Sequence, residues 1–368
     1  MGQAHSRSGD QGAMNNFLEV RLDAAEVLAK AEALLCGAGL EKERAAAVAR
    51  RLVEADLLGH RTHGLQQLVV YLERLGDGRI ATSGEIEVLS DSGASFSWTC
   101  GRLPGAWAME RLISRALERS AQHPVVTATL SNCSHIGALQ AYLEDIADHK
   151  LLALLMVTDP GVASMAPPGG IDAVTTSNPI AACIPTHGDP ILIDQTTTLV
   201  SNGAIAQHAA QGTLLPGNWV RDNQGRASND PHVMSANPPG TLMPLGGEDF
   251  GYKGFAFSLF VEAFALALSG FGRDQPRVRG AQGVFLQVID PAHFGLGKAG
   301  FLAATTALVD QCKSARPATE GNGVRLPGER ALKGKKAQLA DGIVYSQDLL
   351  KVLDAWAARL GIDVRLVP

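Results

Sequence analysis

Gly295-Leu296-Gly297-Lys298-Ala299-Gly300 has the Gly-x-Gly-x-x-Gly spacing with which many dinucleotide-binding folds cradle a pyrophosphate, and its reading decides the architecture. In that fingerprint the glycines form the turn directly after a strand, and an acidic residue about 20 positions on holds the ribose. Here the apolar run Val284–Ile289 is separated from the glycines by Asp290-Pro291-Ala292-His293-Phe294, and no second strand carrying such an acid follows. The six residues therefore read as a flexible loop feeding a helix over Ala303–Cys312, and a Rossmann fold is set aside.

Upstream of that loop, short β-rich runs punctuated by Gly, Pro, Asn and Asp predict strands at Ile86–Leu89, Val125–Leu130, Leu151–Val157, Ala181–Ile184, Ile191–Ile193 and Val284–Ile289. Helical periodicity lies between some of them, at Ala106–Arg119 and Ala138–Asp148, and Lys253–Ser269 reads as a buried helix because it is apolar almost all round. Both chain ends are helical. Asp23 and Glu26 form a capping box for a first helix ending at Gly37 or Gly39; Glu41–Leu58 and Leu65–Arg74 follow, and Ser346–Leu360 is the last helix. Lys313–Lys336 reads as a polar, basic loop. The expectation is a mixed α/β protein: a disordered lead-in over residues 1–16, a helical domain built from 17–82 together with 313–368, and an α/β domain over 83–312.

Composition narrows the function. The chain is 46% hydrophobic and 19% charged, and its formal net charge of −5 gives no strong pull toward nucleic acid or anionic lipid. No uninterrupted apolar run approaches the roughly 20 residues of a membrane span, since Phe255–Leu268 is short and broken by Glu262. Met1–Asn16 has no apolar core of a secretory signal, and five scattered cysteines with no Cys-x-x-Cys pair predict reduced thiols in a cytoplasm. A Walker loop and a Gly-x-Ser-x-Gly elbow are both missing from the sequence. His60 and His63 have His-x-x-His spacing but no acid at the distance a zinc site needs, so no metal is expected.

Gly59-His60-Arg61-Thr62-His63-Gly64-Leu65 joins two amphipathic helices. Packing does not require His63, because Val48, Leu52, Ala55 and Leu57-Leu58 already supply the apolar stripe of the preceding helix. A histidine at such a junction, with an ordinary pKa near 6.5, suits proton transfer. Four further polar turns stand at element ends: Ser131–Ala138, Thr175–Ile180, Asp194–Thr198 and Gly246–Gly254. Ligands gather at such loops in α/β proteins. Glu262 reads as a paired buried carboxylate and Cys133 as a packed thiol.

Taken in order, Ala55-Asp56-Leu57 with His63-Gly64, Ser134-His135-Ile136-Gly137, Ser177-Asn178-Pro179-Ile180, Asp194 with its threonines, Tyr252-Lys253-Gly254 and Arg325-Leu326-Pro327-Gly328-Glu329-Arg330 resemble the malate/L-lactate dehydrogenase-like oxidoreductases. That family includes ureidoglycolate, sulfolactate and diketogulonate dehydrogenases and piperideine-2-carboxylate reductases. The resemblance runs from about Asp23 to the C-terminus. It implies a non-Rossmann α/β (α+β) fold with a largely antiparallel nucleotide-binding sheet, a helical domain made of both chain ends, and a homodimer with sites near the interface.

Carried over by residue, the resemblance makes His63 the general acid/base and Thr62, where the family usually has serine, the residue that orients it. Ser134, His135, Ile136, Gly137, Ala138 and Leu139 match cofactor-contacting positions, as do Asp194, Gln195, Thr196 and Lys253. Arg325, Pro327, Gly328, Glu329 and Arg330 match a loop that closes over NAD or NADP, between which the sequence does not choose. Arg61, Gln67, Ser177, Asn178 and Asn202 fall on the substrate side. Gln67 stands where many members carry an arginine for the substrate carboxylate, and Asn202-Gly203-Ala204 lacks the charges some members place there. The implied activity is NAD(P)-dependent interconversion of a small 2-hydroxy acid and its 2-oxo acid. The alternatives are NADPH-dependent reduction of a cyclic 2-imino acid and a non-catalytic dinucleotide-binding paralogue.

Overall fold

The computed structural model describes residues 19–274, 276, 279–319 and 323–367; the expected lead-in lies outside them. In chain order its elements are β1 (Glu19–Leu22), α1 (Ala24–Gly37), α2 (Lys42–Leu57), a 3-10 turn over Arg61–His63, α3 (Leu65–Gly76), β2 (Glu87–Asp91), β3 (Ser95–Thr99), α4 (Gly105–Ser120) and β4 (Val125–Cys133). A 3-10 turn over Leu139–Tyr142 then runs into α5 (Leu143–Ala147), followed by β5 (Leu152–Thr158), β6 (Ile180–Ile184), β7 (Ile191–Gln195) and α6 (Asn202–Ala210). The short strands β8 (Val220–Arg221), β9 (Ala227–Ser228) and β10 (Thr241–Leu242) precede α7 (Gly247–Glu262), which continues as a π-helical turn to Ala267. The chain closes with β11 (Gln282–Ile289), α8 (Gly297–Ser314), α9 (Glu329–Asp341), β12 (Ile343–Ser346) and α10 (Gln347–Leu360).

A seven-stranded sheet in the order β2-β3-β4-β11-β5-β6-β7 forms the centre. Every neighbouring pair is antiparallel except β3–β4. Strand β11 lies in the middle, and its pleat separates the two faces. Val284, Leu286 and Val288 pack in the core that holds Met109, Leu112 and Ile113 of α4, whereas Phe285 packs with Met156, Val261 and Ala265 on the opposite face.

The two chain ends meet in a hairpin-like pair. β1 runs antiparallel to β12, from Glu19 opposite Ser346 to Leu22 opposite Ile343. Around it, α1, α2, α3 and α10 share one core through Leu34, Leu35, Leu52, Leu68, Leu72, Leu350 and Leu353. Asp23 caps α1 by accepting from the Ala25 and Glu26 amides at 2.8 and 3.2 Å.

Three sequence expectations need correction. The Gly-x-Gly-x-x-Gly segment is no loop feeding a helix at Ala303, because α8 already begins at Gly297. The basic stretch expected as one loop over Lys313–Lys336 ends in α9, whose side chains have specific partners: Leu332 is buried, and Lys335 reaches Glu54 at 2.6 Å and Glu144 at 2.7 Å. The helix expected to be buried over Lys253–Ser269 buries Ser258, Val261, Ala265 and Leu266, yet Tyr252, Phe257 and Leu259 are each more than half exposed. An all-round apolar composition does not say which neighbour covers each face. By length and composition Gly247–Ala267 is also, among the described residues, the one helix apolar enough to cross a bilayer.

Leu286 is fully buried and paired to strands on both sides. Leu286→Ala is expected to lower stability by about 2–5 kcal/mol, read as a lower urea midpoint with an unchanged slope.

Candidate active site

The junction between α2 and α3 presents His63. The amide of His60 donates to Ala55 O at 2.7 Å, and that of His63 donates to His60 O at 2.8 Å, so the chain turns tightly instead of continuing the helix. Thr62 Oγ1 lies 3.0 Å from His63 Nδ1. That contact leaves Nε2 without a partner among the described residues.

His135 stacks on His63, with ring centroids 5.6 Å apart and planes 21° from parallel. The Gly137 amide donates to His135 Nδ1 at 3.3 Å, which makes that nitrogen an acceptor and puts the ring proton on Nε2. Tyr71 OH sits 2.8 Å from the same nitrogen and 3.1 Å from His135 O. Burial lowers the pKa of His63 to about 4, with the His60 charge adding to the effect. Burial likewise brings His135 to about 3, helped by His63 and Arg74. Both imidazoles are therefore neutral at pH 7, and His63 is competent to accept a proton.

The other expected segments converge from several elements. The Gln140 amide donates to Asp194 Oδ2 at 2.9 Å, tying the turn after His135 to β7. Burial raises the Asp194 pKa, against the nearby His60 and the amides of Gln140 and Leu139. His60 Nε2 approaches Gln140 Oε1 at 2.6 Å, while Gln140 Nε2 is buried with no partner among the described residues. The Leu192 amide donates to Pro327 O at 3.2 Å, which seats the 325–330 segment on the edge of the sheet. Gly328 has φ +87°, and a Cβ there would come within 2.7 Å of the Leu192 side chain. Beside it lies a cavity of about 690 Å³ lined by Lys313, Arg325, Glu329, Arg330 and Lys333. Opposite His63, a Cβ added to Gly203 would stand 3.4 Å from Thr62 Cβ, and Asn202 Nδ2 reaches Thr176 Oγ1 at 3.4 Å.

Several expected site residues are committed elsewhere. Asn178 is fully buried with φ +38°, and its Nδ2 donates to Ser258 Oγ at 2.8 Å and to Glu262 Oε1 at 2.8 Å. Its Nδ2 thus braces the Ser177–Pro179 turn from beneath, while Oδ1 has no partner among the described residues. Glu262 is paired with Arg273 at 2.6 Å. Arg61 is exposed and donates from Nη1 to Val344 O at 2.5 Å, so its guanidinium braces β12. Ser134 Oγ accepts from the Gly105 amide at 2.9 Å. Ser177 O takes both the amide and the hydroxyl of Thr197, and Thr196 Oγ1 bonds Thr198 O at 2.9 Å. Lys253 Nζ sits 4.7 Å from the centre of the Phe250 ring. Gln67 is half-buried on α3, and Gln195 is exposed.

Sequence reasoning assigned no role to Tyr71, Gln140 or Tyr345, and named Asp56 only within the Ala55-Asp56-Leu57 segment. A signal for Asp56 was present: it is an acid on the face of α2 that also carries Val48, Leu52 and Ala55.

Because both half-buried imidazoles have folded pKa values below the ordinary 6.5, the unfolded chain binds more protons between about pH 4 and 6.5. Their contribution to stability is whole above pH 6.5 and is lost on acidification. Burial raises Asp56 to about 7, and its contribution has the opposite sign over the same range. Between pH 7 and 4.5 the Tm of His135→Gln is expected to shift toward instability less than that of the wild type. Equal slopes would show that this imidazole does not titrate as described.

A profile for malate/L-lactate dehydrogenases matches residues 22–354. The chain is similar to the malate dehydrogenase of Pyrococcus horikoshii, 28% identical over 339 residues that cover 88% of this chain and 91% of that protein. It is also similar to the (2R)-3-sulfolactate dehydrogenase (NADP(+)) of Chromohalobacter salexigens, 29% identical with 88% and 96% covered. Among solved structures, the Δ1-piperideine-2-carboxylate reductase of Pseudomonas syringae superposes with a TM-score of 0.82 at 25% identity, covering 92% of this chain and all of that one.

Proposed function

The chain belongs to the malate/L-lactate dehydrogenase family, and we propose that His63 is the acid/base with which it interconverts a small 2-hydroxy acid and its 2-oxo acid. It is an oxidoreductase of the dehydrogenase/reductase class using a nicotinamide cofactor. The observation that carries the proposal is the half-buried, neutral His63 ring, oriented through Nδ1 by Thr62, stacked on His135 and, among the described residues, unpartnered at Nε2.

The residues present fit a dinucleotide. Four cations and one carboxylate line a cavity of about 690 Å³, within the size range of ligand pockets, and suit a diphosphate. The orphaned, buried Gln140 Nε2 is a donor in need of an acceptor. Arg325, Arg330 and Lys333 would hold the anionic part, and the 134–140 turn its neighbouring groups. A dinucleotide held by these residues would supply the hydride chemistry of a nicotinamide.

In the oxidative direction His63 Nε2 takes the hydroxyl proton, and Thr62 holds the ring against rotation as charge develops. In the reductive direction the same nitrogen returns the proton to the developing alkoxide. His135, itself hard to protonate, leaves the added charge on His63. Asn202, Thr176 and Gln67 offer uncharged hydrogen-bonding groups on the substrate side.

We further propose that the exposed apolar face of α7, with Tyr252, Phe257 and Phe260, is covered by a second copy in a homodimer, and that the protein works in the cytoplasm, where its five free thiols stay reduced. Reduction of a cyclic 2-imino acid is the second reading, favoured by the superposition on the piperideine-2-carboxylate reductase, because proton delivery to an imine nitrogen needs the same His63.

The test is oxidation of NADH and NADPH, followed by absorbance, with a panel of 2-oxo acids, piperideine-2-carboxylate and pyrroline-2-carboxylate. His63→Ala is expected to lower kcat by about 10²–10⁴-fold while dinucleotide affinity by calorimetry stays unchanged. Turnover unaffected by His63→Ala would remove the assignment. Dinucleotide binding with no turnover of any substrate would favour a non-catalytic paralogue.

A further inference from the structure

Asp56 is 2% exposed, yet the chemistry above has no use for it. A carboxylate in an apolar core costs free energy unless its oxygens are hydrogen-bonded. Asp56 Oδ2 accepts from the Leu65 amide at 2.8 Å and from Tyr345 OH at 2.9 Å. The first of these bonds is a helix cap supplied from another helix. The residue at the N-cap of α3 is Gly64, which has no side chain, so the orphan donor of the first turn is satisfied by α2.

The geometry leaves no room for anything but glycine after His63. A Cβ on Gly64 would lie 1.9 Å from Asp56 Oδ1 and 2.1 Å from Cγ. His63 is thus bracketed: its own amide is held by His60 O, the Gly64 amide by Arg61 O at 3.2 Å, and the Leu65 amide by Asp56. The C-terminal part of the chain secures the other side. Gln338 Nε2 of α9 donates to Leu57 O at 2.8 Å and to Asp56 O at 3.2 Å, sharing the latter carbonyl with the Gly59 amide. Arg61 bonds Val344 O of β12, and Lys335 ties α9 to Glu54 of α2.

We infer that Asp56 is a positioning residue for His63, the pin of a clamp in which Gly64, Tyr345 and Gln338 hold the histidine turn at a fixed place between α2 and α3. Asp56 makes no hydrogen bond to His63, so its influence runs through the Leu65 amide and Tyr345. The inference rests on the reading of His63 as the acid/base.

The experiment compares Asp56→Asn, Asp56→Ala, Gly64→Ala, Asp56→Ala/Gly64→Ala, Tyr345→Phe and His63→Ala in the full-length protein, with kcat, KM for the dinucleotide and Tm read for each. Asp56→Ala is expected to lower kcat by about 10–100-fold with the dinucleotide KM within about twofold. Asp56→Asn falls between Asp56→Ala and wild type, because its amide oxygen still accepts the Leu65 N–H. Gly64→Ala loses Tm through the clash. The double variant, with the clash removed, regains Tm but not kcat. A double variant with wild-type kcat overturns the inference, since Asp56 would then only fill space. Should Asp56→Ala fail to fold, the near-isosteric Asp56→Asn and Tyr345→Phe decide: a loss of kcat at unchanged dinucleotide affinity supports the clamp, and unchanged kcat in both overturns it. If His63→Ala keeps full activity, the acid/base reading fails instead; if His63→Ala is inactive while the Asp56 variants turn over normally, only the positioning role fails.

Discussion

The pairing of β1 with β12 is the constraint on which the rest of the structure depends. It joins residue 19 to residue 346 and so brings the last 40 residues of the described chain back against the first three helices. Without that closure, α2 and α3 would lack the C-terminal elements and be set only by each other, α1, α4 and the sheet. With it, Ile343 and Tyr345 enter the same core as Leu22 and Leu52, and the histidine turn lies between an N-terminal and a C-terminal element. Long-range pairing of this kind is entropically costly to form. What offsets the cost is the apolar stripe of α10, whose Leu350, Leu353 and Ala357 are buried against the N-terminal helices.

A second buried polar network anchors the opposite side of the sheet. Asn178 in its left-handed conformation donates to Ser258 and Glu262, Ser258 Oγ donates to Thr175 Oγ1, and Glu262 also takes Thr158 Oγ1 and Arg273. These groups fix α7 against the 175–178 turn at the ends of β5 and β6. The helix is thereby held along one polar seam, and its apolar remainder is left facing outward. Such a network specifies position more than it adds stability. Its partners decide which side of α7 faces the sheet, something its composition does not encode.

How much of this was legible in the sequence depended on whether the signal was local. Asp23 as a cap, the periodicity of Glu41–Leu58 and the β-rich runs at Val125–Leu130 and Leu151–Val157 are consequences of neighbouring residues, and the structure has elements there. β1 and β12 were not read, because these four-residue strands acquire their identity from each other across the length of the chain; β3, serine-rich and paired with its neighbour β2, was not read either. At the site, His63 stood out because packing did not need it. Tyr71, Gln140 and Tyr345 did not, since each looks like an ordinary core or surface residue until the fold places it beside His135, Asp194 or Asp56. Asn178 and Arg61 show the converse: a polar side chain in a promising turn was claimed by a backbone or side-chain partner that the linear sequence does not reveal.

The Gly-x-Gly-x-x-Gly stretch illustrates why spacing alone misleads. In a phosphate-binding turn the glycines let an anion approach backbone amides at a helix N-terminus. Here the same spacing has another cause. Leu296 folds over the first turn of α8, and a Cβ on Gly300 would lie 2.3 Å from Leu296 Cβ, so the third glycine makes room for a side chain of its own segment. Near the helix start, Lys298 pairs with Asp290 at 3.4 Å. The cations suited to an anionic ligand stand instead on the 325–333 segment, at the edge strand β7. An antiparallel sheet has no row of strand ends feeding helix N-termini, so the proposed anion site draws on side-chain cations of a late segment, which the closure of the chain ends brings to the sheet.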